Sequence, residues 1–273
     1  MTEVISLHSS RGGTGKTVIG VNLAALLASK GLNVTLVDLD FRAPSLYHTF
    51  RPYVEPPSFW VNDYLNLHCE PDDFLVGVGK ALNLKGDLLI GFANPHTRAI
   101  EDMLGKSRSW EATALKRLFD LKTFLAQNLN NDVCLCDTSP GIHYSSLNAM
   151  LYSDRIVFVS TSDPLEMEQV ANMLEEYNDV FEDKTSILLN KAFPETSCLC
   201  DRGQEEQAIR LLADIKIPLI GMIPCYCDVL TTQTRLLMFE KRGHPFFGRL
   251  EEVARILISE QKNKKERQAI PAK

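Results

Sequence analysis

The run Ser10-Arg11-Gly12-Gly13-Thr14-Gly15-Lys16-Thr17 puts three glycines, a lysine and a hydroxyl side chain within eight residues. Glycines let a short loop curl until its backbone N–H groups converge, which suits phosphate oxygens. An apolar segment, residues 4–8, precedes the run, and a helical pattern, residues 17–29, follows it. A helix N-terminus adds free donors and a dipole that favours an anion. In that setting Lys16 is placed to reach β- and γ-phosphates, and the Thr17 hydroxyl to ligate Mg²⁺. The general phosphate-loop pattern has glycine where this chain has Ser10, so the strict motif is not met. The strand before and the helix after supply the context that the motif needs. Ser10 to Val18 are therefore candidate nucleotide-binding residues.

Two apolar segments end in carboxylates. Leu36-Val37-Asp38-Leu39-Asp40 carries acids at alternate positions, and Val133-Cys134-Leu135-Cys136-Asp137 continues as Thr138-Ser139-Pro140-Gly141. If both are parallel strands, the acids lie at the C-terminal edge, where open α/β sheets carry their ligands. An aspartate there can hold Mg²⁺ through water, and the glycine after it can sense a γ-phosphate.

These residues need a scaffold, and the sequence supplies one. Short β-type runs alternate with helical patterns, which predicts a parallel sheet with crossover helices. Strands are expected over 4–8, 33–38, 88–92, 133–137, 155–160, 185–189 and 217–222. Helices are expected over 17–29, with Leu23, Leu26 and Leu27 on an apolar face, and over 109–128, 165–181, 204–213 and 245–259. The 273 residues, with 45% hydrophobic and 23% charged, suit a soluble globular protein with a sizeable core. No linker divides the chain, so residues 1–260 are expected to form one domain and the charged residues 261–273 a flexible tail. The net charge of −6 argues against a strongly basic nucleic-acid surface. No apolar run is long enough to span a bilayer and the N-terminus does not read as a signal peptide, so a cytoplasmic location is expected.

Arg11-Gly12-Gly13-Thr14-Gly15-Lys16-Thr17 resembles the deviant Walker A motif of the MinD/ParA superfamily, and most closely its MinD-like members. Asp38-Leu39-Asp40 resembles its Walker A-prime motif, and Asp137-Thr138-Ser139-Pro140-Gly141 its Walker B and switch II. Asn190-Lys191 resembles the adenine-contacting segment, and Gly221-Met222-Ile223-Pro224 with Asp228 the last base-flanking one. The resemblance implies a P-loop NTPase fold of the SIMIBI type, α/β, with a mostly parallel central sheet and helices on both faces. It implies ATP and Mg²⁺ as ligands and slow, Mg-dependent hydrolysis. Carried over by position, Lys16 cradles the phosphates, and Thr17 and Asp137 position Mg²⁺ with Asp38 supporting the metal site. Asp40 orients or activates the attacking water, Asn190 reads adenine, and Pro224 flanks the base. In this family two subunits close face to face over two ATP molecules, and a signature lysine of each reaches the other's phosphates. That position is Arg11 here. Arginine is always charged and offers a planar fork suited to phosphate. The loop is expected to aim Arg11 away from its own phosphates and towards those of a facing subunit. A solvated side chain, or pairing with Asp38 in its own subunit, are the alternatives.

The implied function is an ATP-dependent homodimer switch, acting in intracellular positioning or partitioning through an unidentified regulatory or cargo protein. Two other readings stay open: a metal or Fe–S delivery ATPase that uses thiolates, and a non-hydrolysing nucleotide-binding scaffold. Six of the seven cysteines form Cys-x-Cys pairs, Cys134/Cys136, Cys198/Cys200 and Cys225/Cys227. The first pair lies in a strand and reads as small buried hydrophobes. The other two are the candidate thiolate ligands. Phe247, Leu250, Val253, Ile256 and Leu257 are expected to pack on the sheet, and the tail after them has no apolar face, so no membrane-targeting helix is expected. Lys262, Lys264, Lys265 and Arg267 surround Glu266 and read as a solvated tail, so there is no strong DNA signal.

Overall fold

The structure, a computed structural model, describes residues 2–192, 210, 217–232, 235–241 and 243–268. Among the described residues eight strands form one sheet: β1 Glu3–His8, β2 Val34–Leu39, β3 Leu75–Gly77, β4 Leu88–Gly91, β5 Val133–Thr138, β6 Arg155–Ser160, β7 Thr185–Ala192 and β8 Leu219–Pro224. Their order is β3-β4-β2-β5-β1-β6-β7-β8. All pairings are parallel except β3 with β4. The main helices are α1 Lys16–Ser29, α2 Thr97–Leu104, α3 Arg108–Gln127, α4 Tyr144–Tyr152, α5 Pro164–Glu176 and α6 Pro245–Gln268. Parallel pairing demands a crossover between strands, and these helices supply it from both faces.

The central strands read as apolar runs because both of their faces are covered. Ile5, Leu7, Leu36 and Leu135 join a core with α1 and α6. Val4, Val37, Cys134 and Cys136 join the opposite core with Leu118, Leu121 and Leu125 of α3. A third cluster packs Ile156, Phe158, Ile187 and Leu189 against Met167, Val170 and Leu174 of α5. The two thiols on β5 therefore share one face, as their spacing predicts.

Several expectations need correction. Helix α1 has no single apolar face: Ile19 to Ala28 are all buried, because the helix lies between the sheet and α6. Strand β3 and helix α4 are additional elements; β3 has only three residues and ends in glycine, too short for a period-two pattern. The expected helix 165–181 breaks at Tyr177 into α5 and a short turn, Asn178–Phe181. Helix α6 passes Ser259 and runs to Gln268, longer than the expected helix 245–259. Its added residues are mostly Glu, Gln, Lys and Arg, which favour helix without needing a packing partner. The expected helix 204–213 lies almost wholly outside the described residues.

Leu250, Val253 and Leu257 of α6 are buried against the sheet and α1, with Phe247 and Ile256 partly buried beside them. No helix of the described residues is long and apolar enough to cross a membrane. Leu250→Ala removes a fully buried side chain from this seam. It is expected to cost about 2–5 kcal/mol. Arg249→Ala on the exposed side should change stability by about 0.5 kcal/mol or less. Urea denaturation midpoints of the two variants check the contrast.

Candidate nucleotide site

The loop between β1 and α1 turns through two left-handed residues, Gly13 at φ 85° and Gly15 at φ 100°. A Cβ on Gly15 would stand 2.3 Å from Asn190 Nδ2, so a side chain is excluded by contact as well as by backbone conformation. That close approach lets the end of β7 brace the loop. Asn190 donates to the Thr14 carbonyl at 2.7 Å, and Lys191 Nζ donates to the Gly13 carbonyl at 2.6 Å. From the other side Gly141 N donates to the Ser9 carbonyl at 2.9 Å. Loop, β5 and β7 are thus tied together at one edge of the sheet.

A cavity of about 490 Å³ opens there. Of the expected residues, Gly12, Gly13, Gly15, Lys16, Thr17, Val18, Asp40, Asn190 and Pro224 line it. Lys16 is only 7% exposed, and Nζ donates to Ser9 Oγ at 2.7 Å. Burial pulls its pKa down, against the attraction of Asp137 and Asp40. Thr17 Oγ1 donates to Asp137 Oδ2 at 2.6 Å, while Asp137 Oδ1 is buried without a partner. Burial pushes Asp137 up to about 6, opposed by the Thr17 hydrogen bond and the Lys16 charge. His8, at the end of β1, bonds Thr138 Oγ1 at 2.9 Å, and burial drives its pKa down to about 3. It is therefore neutral and adds no cation behind the loop. Asp40 Oδ1 accepts from Ser139 Oγ at 2.6 Å and from the Arg42 and Ala43 amides.

This arrangement fits a magnesium–nucleotide ligand. The hydroxyls of Ser10 and Thr14 are buried without partners, as is one oxygen of Asp137. Buried polar atoms left so at one site are what a phosphate and a hard cation would satisfy. Ser10 and Thr14 contribute to the loop without lining the cavity.

Asp38 sits near the end of β2, beside the loop that carries Asp40. It is fully buried, and its carboxylate accepts from the amides of Asp40 at 3.0 Å and of Ser45 and Leu46 at 3.2 Å each. Burial and the neighbouring Asp137 hold its pKa well above the ordinary value. Its geometry is that of a staple for the loop that carries Asp40.

Arg11 stands outside the cavity, as expected, but its charge is not without a counter-ion in its own chain. Its guanidinium bonds Asp163 Oδ2 at 2.5 Å and Glu166 Oε2 at 3.1 Å, with the Arg11 side chain 44% exposed. Asp38 takes no part. Asp163 also caps α5, accepting from Leu165 N at 3.0 Å, and buried Glu166 accepts from Thr161 Oγ1 at 2.6 Å. Asp-Pro before a helical run is a readable cap signal. Its pairing with a residue so far away in the chain is not. Ser9, Ser45, Tyr226 and Arg235 are further site residues that no motif spacing marks, and Ser139, inside the Asp137–Gly141 motif, joins them through Asp40.

Among the described residues the cysteines do not assemble into one cluster. Cys134 and Cys136 are buried, and Cys134 together with burial holds the Cys136 thiol well above its usual value. Cys225 is half-buried and Cys227 exposed, either side of Tyr226, while Cys198 and Cys200 lie outside the described residues. Among the described residues no group of three or more His, Cys, Asp or Glu side chains is arranged to hold a metal ion.

A glycine loop braced between strand and helix, with a lysine over a threonine–aspartate pair, defines a P-loop nucleotide-binding protein. A family model described as the CobQ/CobB/MinD/ParA nucleotide binding domain matches residues 5–236, and the chain belongs to that family. MinD and ParA proteins of this family are ATPases. The chain is 27% identical over 251 residues to the septum site-determining protein MinD of Synechocystis sp., covering 90% of this chain and 85% of that one. Its fold is shared with the MinC:MinD cell division protein complex of Aquifex aeolicus, at TM-score 0.73 and 19% identity over 100% of this chain and 99% of that one. It is shared also with MinD of Pyrococcus horikoshii complexed with Mg-ADP, at TM-score 0.71 and 18% identity over 94% and 96% of the two chains.

The Asp137 shift has a consequence for stability. Its folded pKa, about 6, lies above the ordinary value of 3.8, so folding disfavours its charged form. The associated stability is fully present below pH 3.8 and is lost as pH rises through about 6. Asp137→Asn removes that charge. In EDTA and without nucleotide, the variant should melt above the native protein at pH 8, by at most about 3 kcal/mol in stability. The gain should shrink towards pH 4. Thermal melts across that range check the sign.

Proposed function

We propose that the chain hydrolyses Mg-ATP and uses the bound nucleotide to close onto a second copy of itself, so that the closed dimer engages a regulatory or cargo protein. Residues 1–260 act as one domain in this reading. The observation that carries it is that Lys16 and Thr17 line one cavity, Asp137 is bonded to Thr17 behind them, and Arg11 lies outside it.

Lys16 offsets phosphate charge from within, and the loop amides and helix α1 add donors to the same anion. Thr17 and Asp137 would hold Mg²⁺, which supplies charge neutralisation at the phosphates. Asp40 lines the cavity while Ser139 and two amides fix its Oδ1. A carboxylate held in this way can orient and polarise a water for attack. Asn190 and Pro224 take the base side. Arg11 is exchanged between partners: carboxylates of its own chain before closure, phosphate of the facing copy after it. The Asp163 pair is solvent-exposed and therefore weak, which permits the exchange.

Lys16→Ala should abolish ATP binding in calorimetry, and retained native affinity would remove the basis of the reading. Asp40→Ala should keep affinity, accumulate ATP-bound dimer, and lower turnover by about 10²-fold or more.

Arg11→Ala should leave ADP affinity intact, weaken ATP-dependent dimerisation and cut turnover by about 10³-fold. Asp163→Asn keeps the helix cap but weakens the hold on Arg11. It should tighten ATP-dependent dimerisation by up to about fivefold. Light scattering with ATP or ADP decides, and an Arg11→Ala protein that dimerises like the native one would refute the trans contact.

A further inference from the structure

The loop after β8 contributes a cation that no motif assigns. Arg235 lines the same cavity as Lys16, Thr17 and Asp40. No carboxylate pairs with it among the described residues. Its guanidinium donates a hydrogen bond from Nη1 to the hydroxyl of Ser45. Ser45 lines the cavity too, at the far end of the loop that begins at Asp40.

Both ends of this contact are anchored. Asn22 of α1 is fully buried, and its Nδ2 donates to the Arg235 carbonyl at 2.7 Å and to the Val18 carbonyl at 2.7 Å. Asn22 Oδ1 accepts from Met238 N at 3.1 Å. The backbone that carries Arg235 is therefore fixed to the helix that opens with Lys16 and Thr17. At the other end, Ser45 N donates to Asp38, whose other oxygen takes the Asp40 amide. Between Asp40 and Ser45, Phe41 is buried in the core and Pro44 is buried, while Arg42 and Ala43 are exposed and only their amides are held, by Asp40 Oδ1. The Asp38 bonds to Ser45 and Leu46 are long, at 3.2 Å each. A charge-assisted bond is about twice as strong as a neutral one, so the Arg235 contact adds a side-chain tether at Ser45 to the carboxylate–amide bonds of Asp38.

We propose that Arg235 is a positioning residue for hydrolysis: held by Asn22 to the phosphate-loop helix, it ties down Ser45 and so fixes the loop that carries Asp40. This rests on the assignment of Asp40 to the attacking water. Arg235 does not replace Lys16 and is not required to bind nucleotide. Its effect falls on the chemical step and on the mobility of residues 40–46. Its charge also favours the ionised form of Asp137.

The test compares the native chain with Ser45→Ala, Arg235→Ala, Arg235→Lys and the double alanine variant. The first readout is hydrogen exchange of residues 40–46 in nucleotide-free protein, with β1 and β5 as internal fold controls. The second is single-turnover hydrolysis of Mg-ATP at saturation. Ser45→Ala and Arg235→Ala should each speed exchange in 40–46 alone, and each lower turnover by about tenfold, the scale of one charged hydrogen bond. ADP affinity is measured alongside, and the loss in turnover at saturation should exceed any loss in affinity. Two residues acting through one contact are not additive, so the double variant should be no slower than Arg235→Ala. Arg235→Lys should recover part of the loss. A Ser45→Ala protein with native exchange and native turnover overturns the proposal, as does an additive double variant. A native chain that never hydrolyses Mg-ATP overturns the ATPase reading instead, and the exchange measurement still decides whether the tether exists.

Discussion

Burying the Lys16 ammonium strips its hydration shell, and a single hydroxyl, Ser9 Oγ at 2.7 Å, replaces it directly. The remaining compensation comes from the fields of Asp137, Asp40 and Glu166. Those acids in turn crowd one another. Asp38 and Asp137 are register partners on adjacent strands, and both are pushed towards the neutral form by burial. Neither side of this charge cluster is comfortable alone, and their mutual placement holds the site together. It requires β1, β2 and β5 to end side by side with the same polarity. A parallel sheet provides that, and the crossover helices follow from it.

The same edge receives β7, whose last residues brace the phosphate loop through Asn190 and Lys191. Lys191 pays for this with a left-handed backbone, φ 56°, unusual outside glycine and its close substitutes. Such strain persists only where the surroundings over-determine it, and here the Gly13 carbonyl and the adjacent Asn190 contact do so. The loop that must approach an anion is thereby held rigid before any ligand arrives.

Arg11 illustrates how one substitution on a family pattern changes the local physics. A guanidinium can bond two carboxylates at once, and it does so with Asp163 and Glu166. In the proposed switch these acids compete with the phosphates of a facing subunit for the same fork. Glu166 is buried and keeps bonds from Thr161, so its carboxylate stays satisfied in part when Arg11 leaves. The exchange is thus between two anionic environments, with the cost of uncovering buried Glu166 set against the gain at phosphate.

Periodicity and motif order by themselves determined the parallel α/β class, the position of the phosphate loop, the two carboxylate-bearing strands and the burial of Cys134 and Cys136. Each of these depends on residues close in sequence: glycines where φ must be positive, apolar runs where both sheet faces are covered, an acid where a strand stops. Tertiary structure alone decided the partners of those residues. It gave Asp38 the amides of Asp40, Ser45 and Leu46, placed Asp163 and Glu166 on Arg11, and brought Arg235 to Ser45. It also buried α1 on all sides and carried α6 to Gln268. The physical reason is that these outcomes turn on contacts between segments far apart in the chain. Such contacts are settled by how strands align at one edge of the sheet, and no local spacing encodes that alignment.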